Sequence, residues 1–122
     1  MFTLPVSDLL NSYTWDSREF VFSGPIFDGY FEDIKFTSPL EFKIQIMGLD
    51  DGVNVTWEYL RTQVEYEGKK HELDLSRFDR TWKMKVDPLT DGDDIWEINT
   101  RNSTIDLAPV IREEIIMACH SF

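Results

Sequence analysis

The end of the chain, from Ile105 to Phe122, limits the possible folds more than any other stretch. Asp106 is placed to accept hydrogen bonds from the free amides of a first helical turn. Pro109 falls inside that turn, where a missing N–H costs little. Leu107, Ile111, Ile115, Ala118 and Phe122 then recur at three- and four-residue steps and line one helical face. Arg112, Glu113 and His120 lie on the other side. A helix this short is held by packing more than by its own propensity, so its apolar stripe needs a surface to lie on. Only strands upstream offer one.

The clearest of these strands are in the middle of the chain. Leu40, Phe42, Ile44 and Ile46 alternate with Glu41, Lys43 and Gln45, which gives a sheet one dry face and one wet face. Gly48-Leu49-Asp50-Asp51-Gly52 then turns the chain, its glycines and aspartates suiting the left-handed angles of a hairpin. Val53, Val55, Trp57 and Tyr59 alternate with Asn54, Thr56 and Glu58 on the return. A separate run, Thr62-Val64-Tyr66, meets a turn at Glu67-Gly68-Lys69, and Leu73 and Leu75 return beside it. Trp82, Met84 and Val86 alternate with Lys83 and Lys85, and Ile95-Trp96-Glu97-Ile98 reads as a last strand before the helix.

Upstream, Arg18–Ser23 alternates Phe20 and Phe22 with Glu19 and Val21 and ends at Gly24-Pro25. Tyr30–Phe36 resumes, with Tyr30, Ile34 and Phe36 opposed to Phe31, Asp33 and Lys35. Met1–Asn11 offers a short strand, Phe2–Leu4, and a helical turn begun by Ser7 or Asp8 with Leu9 and Leu10 inward. The expected class is α+β and mainly β: an antiparallel sheet or partly open barrel of about seven strands, with the C-terminal amphipathic helix packed on it. At 122 residues with no linker or repeat, one domain spans 1–122. A small sandwich with the helix on its edge is the alternative.

Composition then narrows the function. A hydrophobic share of 42% and an aromatic share of 14% are those of a folded protein and argue against disorder. The net charge of −11 repels phosphate backbones and acidic membranes and favours protein or cationic partners. Cys119 is the single cysteine, so there is no disulfide framework or cysteine-pair zinc site. It is expected to be a small buried hydrophobe. Met1–Leu10 is too short for a signal peptide and carries Pro5 and Asp8, and no apolar run approaches a membrane span. A cytoplasmic protein is expected, in which the sequons at Asn54 and Asn102 carry no meaning.

Few residues suggest chemistry. Asp87, Asp91, Asp93, Asp94 and Glu97 could hold calcium or magnesium through carboxylate oxygens. An EF-hand register begun at Asp87, however, places Leu89 and Ile98 where ligands are needed, so a solvated loop is expected. Cys119 and His120 are helix neighbours and point about 100° apart; His71 sits beside Lys69 and Lys70 in a turn. Glycine-rich phosphate loops, HExxH and GxSxG are lacking. No enzyme and no cofactor is expected. One segment opposes the global charge: Lys69, Lys70, Arg77, Arg80, Lys83 and Lys85 are six of the twelve basic residues, with Phe78 and Trp82 interleaved. Such a pattern suits phosphate contact and base stacking. A strand with water-facing lysines and a core Trp82 reads the same residues without function, and the exposure of Phe78 decides between the two.

The stretch Ile105-Asp106-Leu107-Ala108-Pro109-Val110-Ile111-Arg112-Glu113-Glu114-Ile115-Ile116-Met117-Ala118 resembles the helix that ends the domain in the bacterial YceD family. The apolar start, the aromatic strand at Phe20–Phe22, the long hairpin Leu40–Tyr59 and the acidic loop before the helix follow that family's order. Its Cys-x-x-Cys pair is missing: neither Glu58-Tyr59-Leu60-Arg61-Thr62 nor Leu75-Ser76-Arg77-Phe78 contains cysteine, so no metal role of that pair carries over. The resemblance implies a non-enzymatic cytoplasmic protein acting in the synthesis, processing or stability of large-subunit ribosomal RNA. Its partner would be that RNA, met by Lys69–Lys85, or a basic ribosomal protein meeting the acidic surface. An acidic protein–protein interaction domain unrelated to ribosomes is the other reading.

Overall fold

The alternating residues from Leu40 to Tyr66 form the spine of the molecule. The computed structural model describes residues 3–10, 17–24, 34–75, 77–87, 89, 91 and 95–121. In chain order these form β1 (Thr3–Pro5), α1 (Ser7–Leu10), β2 (Ser17–Gly24), β3 (Ile34–Phe36), β4 (Leu40–Gly48), β5 (Gly52–Tyr66), β6 (Lys69–Leu75), β7 (Phe78–Lys83), β8 (Ile95–Glu97), β9 (Thr104–Asp106) and α2 (Ala108–His120). The class is α+β, mainly β, and the sheet is not closed into a barrel. The expected positions of Pro25, Tyr30, Phe31, Asp33, Asp93, Asp94 and Phe122 lie outside the described residues.

Seven strands share one sheet, and β5 is its hub. Along one side, β5 pairs with β4 and then β3; along the other, with β7 and then β6. Beyond β4 lies β2, and beyond β7 lies β8. Every pairing is antiparallel except β7–β8, where the chain crosses back before continuing in the same direction. A separate two-stranded sheet joins β1 to β9.

Two expectations are corrected along β5. It is one strand of fifteen residues, not two runs. Its register shifts between Lys43 and Ile44, so that Tyr59 faces Lys43, Trp57 faces Ile44, and Glu58 has no opposite residue. This bulge moves the inward set from Val53, Val55 and Trp57 to Leu60, Thr62 and Val64. Tyr59 therefore leaves the core and is half-buried, with the Arg61 guanidinium 4.1 Å above its ring. Thr62 keeps its buried hydroxyl satisfied by donating to the Ser38 carbonyl at 3.2 Å.

The turns also differ in cause from the expectation. Neither Gly48 nor Gly52 has positive φ. Gly52 is required by space, because a Cβ there would lie 2.0 Å from the Trp82 carbonyl oxygen. Left-handed angles occur instead at Glu67 (52°) and Gly68 (78°), the pair that turns β5 into β6.

α2 covers the dry face of the sheet. Ala108, Val110, Ile111, Ile115 and Cys119 are buried, with Leu107 just before them. Cys119 fills the place expected for Ala118, which is half-buried. Asp106 works one residue earlier than a cap in the strict sense: Leu107 is the N-cap, and the Asp106 carboxylate accepts the Ala108 amide at 3.0 Å. The same core takes in Val6 and Leu9 from the N-terminus and Leu40, Phe42, Ile44, Val55, Trp57 and Trp82 from the sheet. Each such side chain contributes about 1.5–3 kcal/mol by leaving water.

Candidate functional site

The basic segment Lys69–Lys85 is the first place to look, and β7 decides what becomes of it. Phe78, Arg80 and Trp82 face Trp57, Val55 and Val53 across the ladder, so strand alternation turns all three toward the dry face under α2. Phe78 lies flat on Trp57, with centroids 4.9 Å apart and planes 11° apart. That contact takes one ring face away from any stacking base. Arg80 has a side chain only 15% exposed; it donates to the Glu114 carboxylate of α2 and to the Asp79 carbonyl at 2.7 Å, with Glu113 at 4.0 Å. It joins helix to sheet.

Lys83 points to the wet face and is equally engaged. Its Nζ lies 2.8 Å from Asp91 and 3.6 Å from Asp51. The hydrogen bond to Asp91 holds the lysine above its usual range and, in return, the Asp91 carboxyl below its own. Lys69, Lys70, Arg77 and Lys85 remain exposed but do not gather. Lys69 faces Tyr66 and Lys83 faces Gly52, the two ends of β5, which at about 3.3 Å per residue are about 45 Å of strand apart. The segment does not form one positive surface.

The acidic loop has its own internal partners. Asp91 accepts the Asp87 amide at 2.8 Å as well as the Lys83 ammonium, and Asp87 accepts the Leu89 amide at 2.9 Å. Among the described residues, no group of three or more His, Cys, Asp or Glu could hold a metal ion. Cys119 is buried, and burial pushes its thiol up. His120 turns the other way, its ring 6.4 Å from that of Tyr66. His71 sits half-buried on β6 opposite Val64. Among the described residues no helix is long and apolar enough to cross a membrane.

On the wet face Lys43 and Arg61 are also met by carboxylates. Lys43 lies 3.0 Å from Glu19 and 3.2 Å from the bulge residue Glu58, and these contacts, Glu19 first, raise its pKa. Arg18, on the dry side opposite Ile46, reaches Asp8 at 3.2 Å, and on the wet face Arg61 reaches Asp74 at 3.9 Å. Glu41, Glu65, Glu67, Glu72 and Glu97 add carboxylates to this surface.

A groove that the sequence reading did not single out lies where α2 passes the β8 edge. It has a volume of about 400 Å³ and is lined by Trp96, Pro109, Arg112, Glu113, Ile116 and Met117. The helical residues recur at 109, 112, 113, 116 and 117, a second face beside the buried stripe. That spacing was the available signal, masked by the stronger stripe next to it. Comparison of the chain with protein-family models, with curated proteins and with solved structures returns no match.

Proposed function

We propose that the protein is a non-catalytic binding module, acting in the cytoplasm, whose acidic surface docks a basic protein. The observation that carries this reading is the internal use of the one cationic segment: Arg80 is joined to Glu114, Lys83 to Asp91 and Phe78 to Trp57. Carboxylates dominate what is left for a partner to meet. A surface of this sign steers a basic partner and repels RNA. The resemblance to YceD gives that partner an identity, a basic large-subunit ribosomal protein, and with it a role in large-subunit ribosomal RNA accumulation through protein contact. Immobilised protein incubated with a bacterial lysate at low salt tests this. The expected result is recovery of a basic ribosomal protein that survives RNase and is released by salt. Recovery of ribosomal RNA alone, lost on Lys69→Glu, Lys70→Glu substitution, would instead establish direct RNA contact.

A further inference from the structure

We infer that the groove between β8 and α2 receives an extended segment of the basic partner, which adds to the free edge of β8 as a further strand. This builds on the basic-partner reading and gives it a location. Three observations support it.

The first is the edge itself. β8 pairs with β7 on one side, and among the described residues no strand pairs with the other. An unpaired strand edge presents backbone donors and acceptors that another strand can satisfy. The second is the groove beside that edge. Trp96 supplies one wall from the sheet, and Pro109, Ile116 and Met117 supply the other from α2. Met117 is 48% exposed, an apolar side chain on a helix that has already buried its main stripe. The Trp96 indole N–H is shielded from solvent and donates to no acceptor, so the ring meets the groove as an apolar surface.

The third is the alternation imposed by β8. Trp96 faces Trp82 on the dry side, whereas Glu97 faces Lys83 on the wet side. A strand added to β8 follows the same pleat. Its residue beside Trp96 enters the groove and must be apolar; its neighbour beside Glu97 faces water next to a carboxylate and is best served by Lys or Arg. The occupant is thus an extended segment that alternates apolar and basic residues.

A phage-displayed library of random dodecamers, selected on the intact protein and counter-selected on Met117→Glu, tests this. Met117 is half-exposed, so the variant should keep the wild-type melting temperature, which is measured first. The expected outcome is enrichment of sequences alternating β-branched or aromatic residues with Lys or Arg. The Ile98 amide donates to the Lys83 carbonyl of β7, so the alternate amides of Ile95 and Glu97 face the free edge. A synthetic member should slow exchange at these two, and Met117→Glu should weaken its binding at least about tenfold, as for a groove anchor. Basic peptides that bind both proteins equally and leave β8 exchange unchanged would overturn the groove while sparing the basic-partner reading. Absence of any basic consensus would overturn both. Concentration-dependent dimerisation abolished by Met117→Glu would assign the groove to a second copy and overturn the proposed occupant.

Discussion

The Arg80–Glu114 pair decides whether β7 is a surface for phosphates or a strut for the helix, and its energy can be measured. The two side chains are 15% and 16% exposed. Removing one partner from a fully buried pair costs about 3–5 kcal/mol, and an exposed pair is worth about 0–1 kcal/mol. At this burial Arg80→Met should cost about 2–3 kcal/mol. Glu114→Gln should cost about 1–2 kcal/mol, since the amide oxygen can still accept from the guanidinium. The contact at 4.0 Å to Glu113, which is 48% exposed, adds little. Urea unfolding of both single variants and the double variant, followed by tryptophan emission, gives the coupling directly. It should be about 1–2 kcal/mol, because residues in contact do not behave additively. Raising salt beyond physiological strength should leave most of it intact, as screening acts mainly on exposed charges. A coupling below about 0.3 kcal/mol, within ordinary additivity error, would mean that Arg80 is free in solution. The cationic segment would then have to be reinstated as a binding surface.

Two other consequences separate causes that look alike in the sequence. Gly52→Ala brings a Cβ against the Trp82 carbonyl, and Gly68→Ala meets no neighbour but keeps φ at +78°. The first should cost about 3 kcal/mol, at the upper end for overpacking, and the second about 1–2 kcal/mol from left-handed strain; equal losses in chemical denaturation would refute the distinction. For the Lys83–Asp91 tie, the lysine is raised above 10.5 and the aspartate lowered below 3.8. The lysine's contribution is complete below its unfolded value and is lost as pH rises through the folded one; the aspartate's is complete above its unfolded value and is lost as pH falls through the folded one. The melting-temperature difference between wild type and Lys83→Met should therefore stay level from about pH 5 to about pH 9 and shrink outside that window. A step near neutrality would point to a histidine instead.

Much of the sheet was legible because burying one face forces alternation, and Leu40–Ile46 and Val53–Trp57 show it without interruption. The misreading at Tyr59 has a physical source. The inward set moves from odd to even positions at Glu58, and a shift of one residue is what a bulge does to a strand whose side chains repeat every two. Taken as a break, it divides β5 in two. The pairing of β1 with β9 was illegible for another reason: each has three residues, and the partners lie at opposite ends of the chain. At the candidate site, the parity of Phe78, Arg80 and Trp82 already put Arg80 on the side of Trp82. No local pattern showed that a carboxylate 34 residues later would meet it. Hence two of the six cations in that run, Arg80 and Lys83, became internal ties, and the other four stand apart.

Those ties and the groove follow from one architectural fact. Because β5 holds partners along both sides, the sheet grows outward in two directions and ends at β2 and β3 on one side and at β8 and β6 on the other. α2 starts beside β8 at Pro109, passes over Arg80 of β7 and reaches Tyr66 with His120. A helix on that course must bury its Leu107–Ile111–Ile115–Cys119 stripe on the sheet, which leaves the neighbouring face, with Ile116 and Met117, at the sheet margin. It must also meet the inward Arg80 with acid, which removes a cation from the surface. The same course therefore makes the surface more uniformly acidic and sets an apolar groove next to an open strand edge. For the basic partner proposed above, long-range attraction would bring it to the molecule, and the short-range contacts that would hold it are at the margin where the sheet stops and the helix continues.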